Sequence, residues 1–243
     1  MASKPEHSHK HEDIATRLAK GPRVSYLPDA VYGAIDGTVT TFAVAAGAVG
    51  ANLSVRVVLI LGAANLIADG FSMAASNFVA SRAEIEQAAQ LRAQEERHIK
   101  RHRDGEVAEV RQIYRNKGYR GQALDTITRL ITSRRRVWVE TMLAGEYGVA
   151  LAERSPLRAA SATFLAFVVA GSVPLVPFVL GMTDAAAVAT VGTGFVFFAI
   201  GSIRSYWSVR NWWRAGLETF AIGMGAAIVS YFVGALVDGM IAR

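Results

Sequence analysis

The chain of 243 residues is 52% hydrophobic, has a mean hydropathy of +0.27 and carries a net charge of +6. Its apolar residues gather in five windows, each long enough for the roughly 20 residues that a hydrocarbon core demands. That excludes an ordinary soluble domain and reads as an all-α, polytopic membrane protein; the lack of cysteine also excludes disulfides and thiolate metal sites.

Residues 1–29 read as a polar tail. His7, His9 and His11 alternate within HSHKHED, a spacing that suits either a loose metal site or a plain solvated, disordered tail. Pro28 and Asp29 open the first span, with Asp29 at its mouth, where a helix N-terminus favours an acid. That span, about 30–51, carries a second acid, Asp36, with Thr40 one turn on. Gly33 and Gly37 have the four-residue spacing that lets helices approach closely. The run AVAAGAVGA after Phe42 resembles a small-residue cleavage site. The polar stretch before it is too long for a signal peptide, and Asp36 interrupts the apolar core, so a retained first span is expected.

The second span, about 57–80, contains ANLIADGFSMAASNFVA. Its Asn65, Asp69, Met73 and Asn77 stand at successive i, i+4 steps and form one polar stripe on a helix. An acid at a helix centre in the bilayer costs roughly 2.5–3.5 kcal/mol. Two such acids beside a thioether point to an ion path for a moderately soft cation; a hydrogen bond to a neighbouring helix is the simpler reading of each. Apart from Gly70, nothing from Ala63 to Arg103 stops a helix, so this span is expected to run on beyond the membrane.

Residues 82–158 read as a cytoplasmic insert of three helices: the continuation of span two, a second ending at Gly118, and a third running from Gly121 through LAE. Glu95 and His98 form a Glu-x-x-His pair on one face, the element used by ferritin-like iron proteins. Glu106 and Glu109 are spaced i, i+3, and Met142 and Glu146 i, i+4. Carboxylate and imidazole suit Fe²⁺, Mn²⁺ or Zn²⁺, and a thioether leans away from Mg²⁺ and Ca²⁺. An ordinary charged helix surface gives the same spacing.

Residues 159–243 hold three more spans, about 159–180, 185–203 and 215–237, which read as scaffold. Pro174 and Pro177 are expected to kink the first of them near its outer end, and RSYWSVRNWWRAG forms an interfacial aromatic belt. All but Arg56 and Arg243 of the 26 Lys and Arg fall in segments that five-span alternation puts on one side. This places the N-terminus in the cytoplasm and the C-terminus outside, and it accounts for the basicity without a nucleic acid partner. The expected setting is a bacterial inner membrane.

DGTVTTFAVAAGAVGA, ANLIADGFSMAASNFVASRAE and VWVETMLAGEYG together resemble the vacuolar iron transporter family, from Asp29 onward. The resemblance implies a homodimer of five-span subunits with the pathway between them. It also implies that Fe²⁺ leaves the cytosol in exchange for protons, and that the cytoplasmic helices collect metal. Asp36 and Met73 then fall on the intramembrane positions, with Thr40, Asn65, Asp69 and Asn77 along the path. Glu95, Glu106, Glu109, Met142 and Glu146 fall on the cytoplasmic ligand positions. His98 stands where familiar members have Glu and Leu143 where they have a second Met, while Asn65 replaces an acid that Asp69 supplies a turn later. Fe²⁺ or Mn²⁺ is then cargo, with no permanently bound cofactor, and the partners are divalent ions, protons, the lipid bilayer and a second copy. Two alternatives stand: a membrane-anchored ferroxidase, which normally needs two Glu-x-x-His elements where this chain has one, and a structural or signalling protein whose basic face binds anionic lipid.

Overall fold

The computed structural model describes residues 8, 10–19, 24–149, 154–207 and 210–241, and among these it is helical with no strand. His7 and His9 lie outside the described residues. The helices are α1 (His11–Ala19), α2 (Leu27–Gly50), α3 (Val55–Arg101), α4 (Arg103–Asn116), α5 (Gly121–Thr132), α6 (Arg135–Gly145), α7 (Pro156–Ser172), α8 (Val176–Val179), α9 (Ala185–Arg204) and α10 (Trp212–Ile241). Five stretches are long and apolar enough to cross a membrane: α2, α3, Pro156–Val179, α9 and α10.

The chain divides into two compact units. One joins Ser25–Ala80 to Ser155–Arg243 and contains the spans; the other joins the N-terminal residues through Val24 to Ser81–Arg154. α3 runs without a break through 47 residues and contributes to both.

In the span unit α2 is the central helix. Gly33 and Gly37 bring its backbone onto that of α7 at Thr163 and Phe167. Further along α2, Ser230 Oγ of α10 donates to the Ala43 carbonyl at 2.5 Å, and Phe42 of α2 packs with Phe197 of α9 and Ala227 of α10. The close-approach glycines are thus used within one chain. Pro174 and Pro177 break the third span as expected: α7 ends at Ser172, a 3₁₀ turn covers Val173–Leu175, and α8 follows. A proline deletes a backbone donor and its ring crowds the preceding turn, so the short segments are the natural outcome. Leu175 and Phe178 from this broken end fill a cluster with Ala45, Ala48, Val58 and Ala189. Phe71, Val169, Phe195 and Phe232 remain exposed on the outside, where lipid rather than water is their solvent.

The second unit departs from expectation in two places. The polar tail contains α1, whose Glu12 and Asp13 sit in the first turn and Arg17 in the last, charges that favour the helix dipole. The expected third helix of the insert is two helices, with Arg134 extended between α5 and α6 (φ −118°, ψ 104°). Thr132 and Ser133 hydroxyls donate back to the carbonyls of Thr128 and Leu130, and such local bonds compete with helix continuation. The break turns Trp138, Val139, Met142 and Leu143 inward onto Ile99 and Val110. α6 stops at Gly145, and Gly148 takes a positive φ of 66° that glycine adopts at no steric cost; LAE, the expected end of the third helix, lies outside the described residues.

Candidate metal centre

Two helices build the centre in the second unit. α3 presents Glu95 and His98 one turn apart on the same face. The chain breaks at His102 (φ −133°, ψ 45°) and α4 turns back, bringing Glu106 to the same place. His98 Nδ1 lies 3.7 Å from Glu95 Oε1 and 3.5 Å from Glu106 Oε1. One donor atom from each of the three lies within 4.8 Å of the others. Ligand bonds of about 2.0–2.3 Å put neighbouring donors roughly 3–4 Å apart, so a small contraction around an ion completes the geometry.

Burial is the informative feature. Glu95 is 0% exposed and Glu106 4%, and Oε2 of each is buried without a hydrogen-bond partner. An unsatisfied buried polar atom costs about 1–3 kcal/mol, more if charged, a cost that a cation removes. Carboxylates almost never sit fully buried unless paired. Burial, the charges of Glu95 and Glu109, the hydrogen bond that a protonated Glu106 makes to Glu95, and the charge of Glu146 push the Glu106 carboxyl up to about 7. Glu146 is raised too, first by burial and then by Glu109 and Glu95, with Tyr147 and His98 opposing.

A group whose folded value is raised contributes stability that is present below the ordinary carboxylate value and lost as pH rises through the folded one. The metal-free protein is therefore expected to have a higher Tm near pH 5.5 than near pH 8, measured in detergent with a chelator. Glu106→Gln is expected to flatten that dependence; an unchanged slope in this variant would show that another group sets it.

The other expected ligands are placed unequally. Glu109 and Glu146 are exposed at the edge of the cluster and act on it through charge. Met142 is 0% exposed and packs in the apolar cluster with Ile99, Val110 and Trp138. Tyr147, unremarked in the sequence, is part of the centre. Its hydroxyl donates to Glu95 Oε1 at 3.0 Å and accepts from Gln94 Nε2 at 3.3 Å. Burial and the carboxylates of Glu95 and Glu146 raise its pKa, so it stays a neutral donor. The signal in the sequence is only that it follows Glu146 where α6 ends.

In the span unit, Asp36 is half-buried on α2 and lies within electrostatic reach of Asp69 on α3. Thr40 donates to the backbone carbonyl of Asp36 at 2.9 Å. Met73 is half-buried, and Asn65 Nδ2 is buried without a hydrogen-bond partner. The last member of the stripe is spent differently: Asn77 Nδ2 donates to Asp29 Oδ1 at 2.9 Å and Thr163 Oγ1 at 2.7 Å. Asp29 stands in the first turn of α2 as expected and is only 8% exposed, a buried member of this polar knot. Thr163 lies in a span that reads as scaffold, one of three hydroxyl residues there with Ser161 and Ser172.

Five helical stretches long and apolar enough to cross a membrane define a polytopic membrane protein, and Glu95, His98 and Glu106 form a group of side chains that could hold a cation. The chain belongs to the VIT family, which it matches over residues 27–235. It is 28% identical over 215 residues to vacuolar iron transporter 1 of Arabidopsis thaliana, covering 86% of this chain and 85% of that protein. It is 29% identical over 208 residues to vacuolar iron transporter 1 of Eucalyptus grandis, covering 84% and 83%. It is 28% identical over 247 residues to the vacuolar iron transporter of Plasmodium berghei (strain Anka), covering 96% and 90%. These names refer to the vacuole, and none of them speaks for the bacterial inner membrane expected above.

Proposed function

We propose that this protein exports Fe²⁺ from the cytosol across its membrane in exchange for protons, with Mn²⁺ as a second cargo. The observation that carries this reading is the pair of buried, unpartnered carboxylate oxygens of Glu95 and Glu106 beside His98, in a chain whose relatives are named iron transporters. Glu95, His98 and Glu106 gather the ion, and Glu109 and Glu146 raise the local negative charge. Met142 has its sulfur buried in the core and contributes packing.

The ion then passes Asp36, Asp69 and Met73. Two like charges within reach of each other in an apolar span repel, and either a divalent cation or protons relieve that repulsion. Alternate occupation by metal and proton is what antiport requires. The insert and N-terminus face the cytosol in this reading, on the strength of the arginine and lysine distribution, and the working unit is a homodimer. The relatives' names speak for a transporter over a ferroxidase.

The test is reconstitution into liposomes with an imposed pH gradient, following Fe²⁺, Mn²⁺ and Zn²⁺ uptake. Fe²⁺ uptake is expected to rise several-fold with the gradient and to dissipate it. Uptake at the same rate with and without the gradient would leave transport but rule out proton exchange.

A further inference from the structure

Tyr147 does more than border the donor cluster. Glu95 is fully buried, and its two oxygens have different surroundings: Oε1 accepts the Tyr147 hydroxyl at 3.0 Å, while Oε2 has no hydrogen-bond partner. The hydroxyl is itself held by Gln94 Nε2 at 3.3 Å, from the residue preceding Glu95 on α3. Tyr147 borders a cavity of about 660 Å³ and packs against the apolar cluster that contains Ile99, Val110 and Leu143, so the phenol is positioned by packing as well as by its hydrogen bonds.

We propose that Tyr147 is a specificity-determining residue: by donating to Glu95 Oε1 it takes up one of that oxygen's two lone pairs and disfavours chelation of a metal through both oxygens, and so selects against large divalent ions. The inference rests on the cluster being a metal site, as read above. A carboxylate with both oxygens free bites bidentately on ions that accept six to eight oxygen ligands in flexible geometry at about 2.3–2.6 Å, Ca²⁺ above all. A hydrogen bond to one carboxylate oxygen uses one of its lone pairs and weakens it as a donor, which favours a single short bond through the other oxygen and suits ions of four to six shorter bonds. The His98 imidazole pulls in the same direction, since hard Ca²⁺ gains little from nitrogen. Tyr147 is thus a positioning residue acting through Glu95, of the kind whose loss typically changes metal affinity 10–100-fold.

The experiment measures Zn²⁺, Mn²⁺ and Ca²⁺ binding to the full-length protein in detergent, for the unmodified chain, Tyr147→Phe and Glu95→Gln. Tyr147→Phe keeps the ring against its cavity and removes only the hydroxyl. It is expected to improve Ca²⁺ affinity relative to Zn²⁺ about tenfold and to lower the intensity of the Co²⁺ d–d band as coordination number rises. Equal changes for all ions, or an unchanged Ca²⁺-to-Zn²⁺ ratio and Co²⁺ spectrum, would overturn the selectivity role while leaving the metal site intact. Zn²⁺ binding that is absent, or indifferent to Glu95→Gln, would instead remove the metal reading and this inference with it.

Discussion

Asp36→Asn is expected to reduce pH-gradient-driven Fe²⁺ uptake by reconstituted liposomes to the level of protein-free vesicles. The substitution is nearly isosteric, so it removes charge without opening space on α2. The Thr40 hydroxyl bond is to the backbone carbonyl of residue 36 and survives. What is lost is one of two acids within electrostatic reach of each other. At 4 Å and an effective dielectric of 20 a unit charge pair is worth roughly 4 kcal/mol. Since each 1.4 kcal/mol is tenfold, removing one carboxylate from a divalent ion's path weakens its hold about a thousandfold or more. The variant also no longer has a group at residue 36 to take a proton when metal leaves. Asp69→Asn, which leaves Asp36 in place, is expected to slow transport rather than abolish it. Wild-type uptake by Asp36→Asn would show that the acid serves helix packing alone.

The spans themselves were legible because their signal is local. A run of apolar residues, an absence of breakers through α3 and two prolines in the third span each act within a turn or two of the chain. The Glu95–His98 pair was legible for the same reason. Asn77 shows where that kind of reading stops. Its i, i+4 register named the correct helical face, but what lies opposite is Asp29, 48 positions away, and Thr163, 86 away. No periodicity encodes such partners. Met142 and Tyr147 make the same point in opposite directions: a thioether at ligand spacing went to the core, and a phenol at no notable spacing became the partner of a buried carboxylate. The break at Arg134 was hidden because Thr132, Ser133 and three arginines are individually compatible with a helix. Only the demand that Trp138 and Met142 turn inward decides against one.

Gly37→Leu is expected to abolish assembly of the span unit, and Gly37→Ala to lower its stability by about 1–3 kcal/mol or more, as overpacking does. A Cβ on residue 37 would meet the Phe167 carbonyl oxygen, and would lie 2.9 Å from both Phe167 Cα and Cγ. From the other side, a Cβ on Gly171 would lie 2.6 Å from the Gly37 carbonyl oxygen. The obstruction is mostly backbone, which cannot rotate away as a side-chain tip can, so α2 and α7 must separate along the contact. Inside a membrane this loss is not offset by hydrophobic attraction between helices, because lipid is as apolar as the helix surface; close packing is what holds them together. Separation would also pull Asp29 on α2 away from Thr163 on α7, leaving polar atoms bare in the span unit. Gly192 on α9 supplies the contrast, since nothing lies within 4 Å of a Cβ built there. Gly192→Ala is expected to be neutral or to stabilise by up to about 1 kcal/mol through helix propensity. Thermal unfolding of both alanine variants in the same detergent checks the pair. Equal Tm values would mean that the α2–α7 contact is looser than its geometry requires, and that Asp36 is not held in place by it.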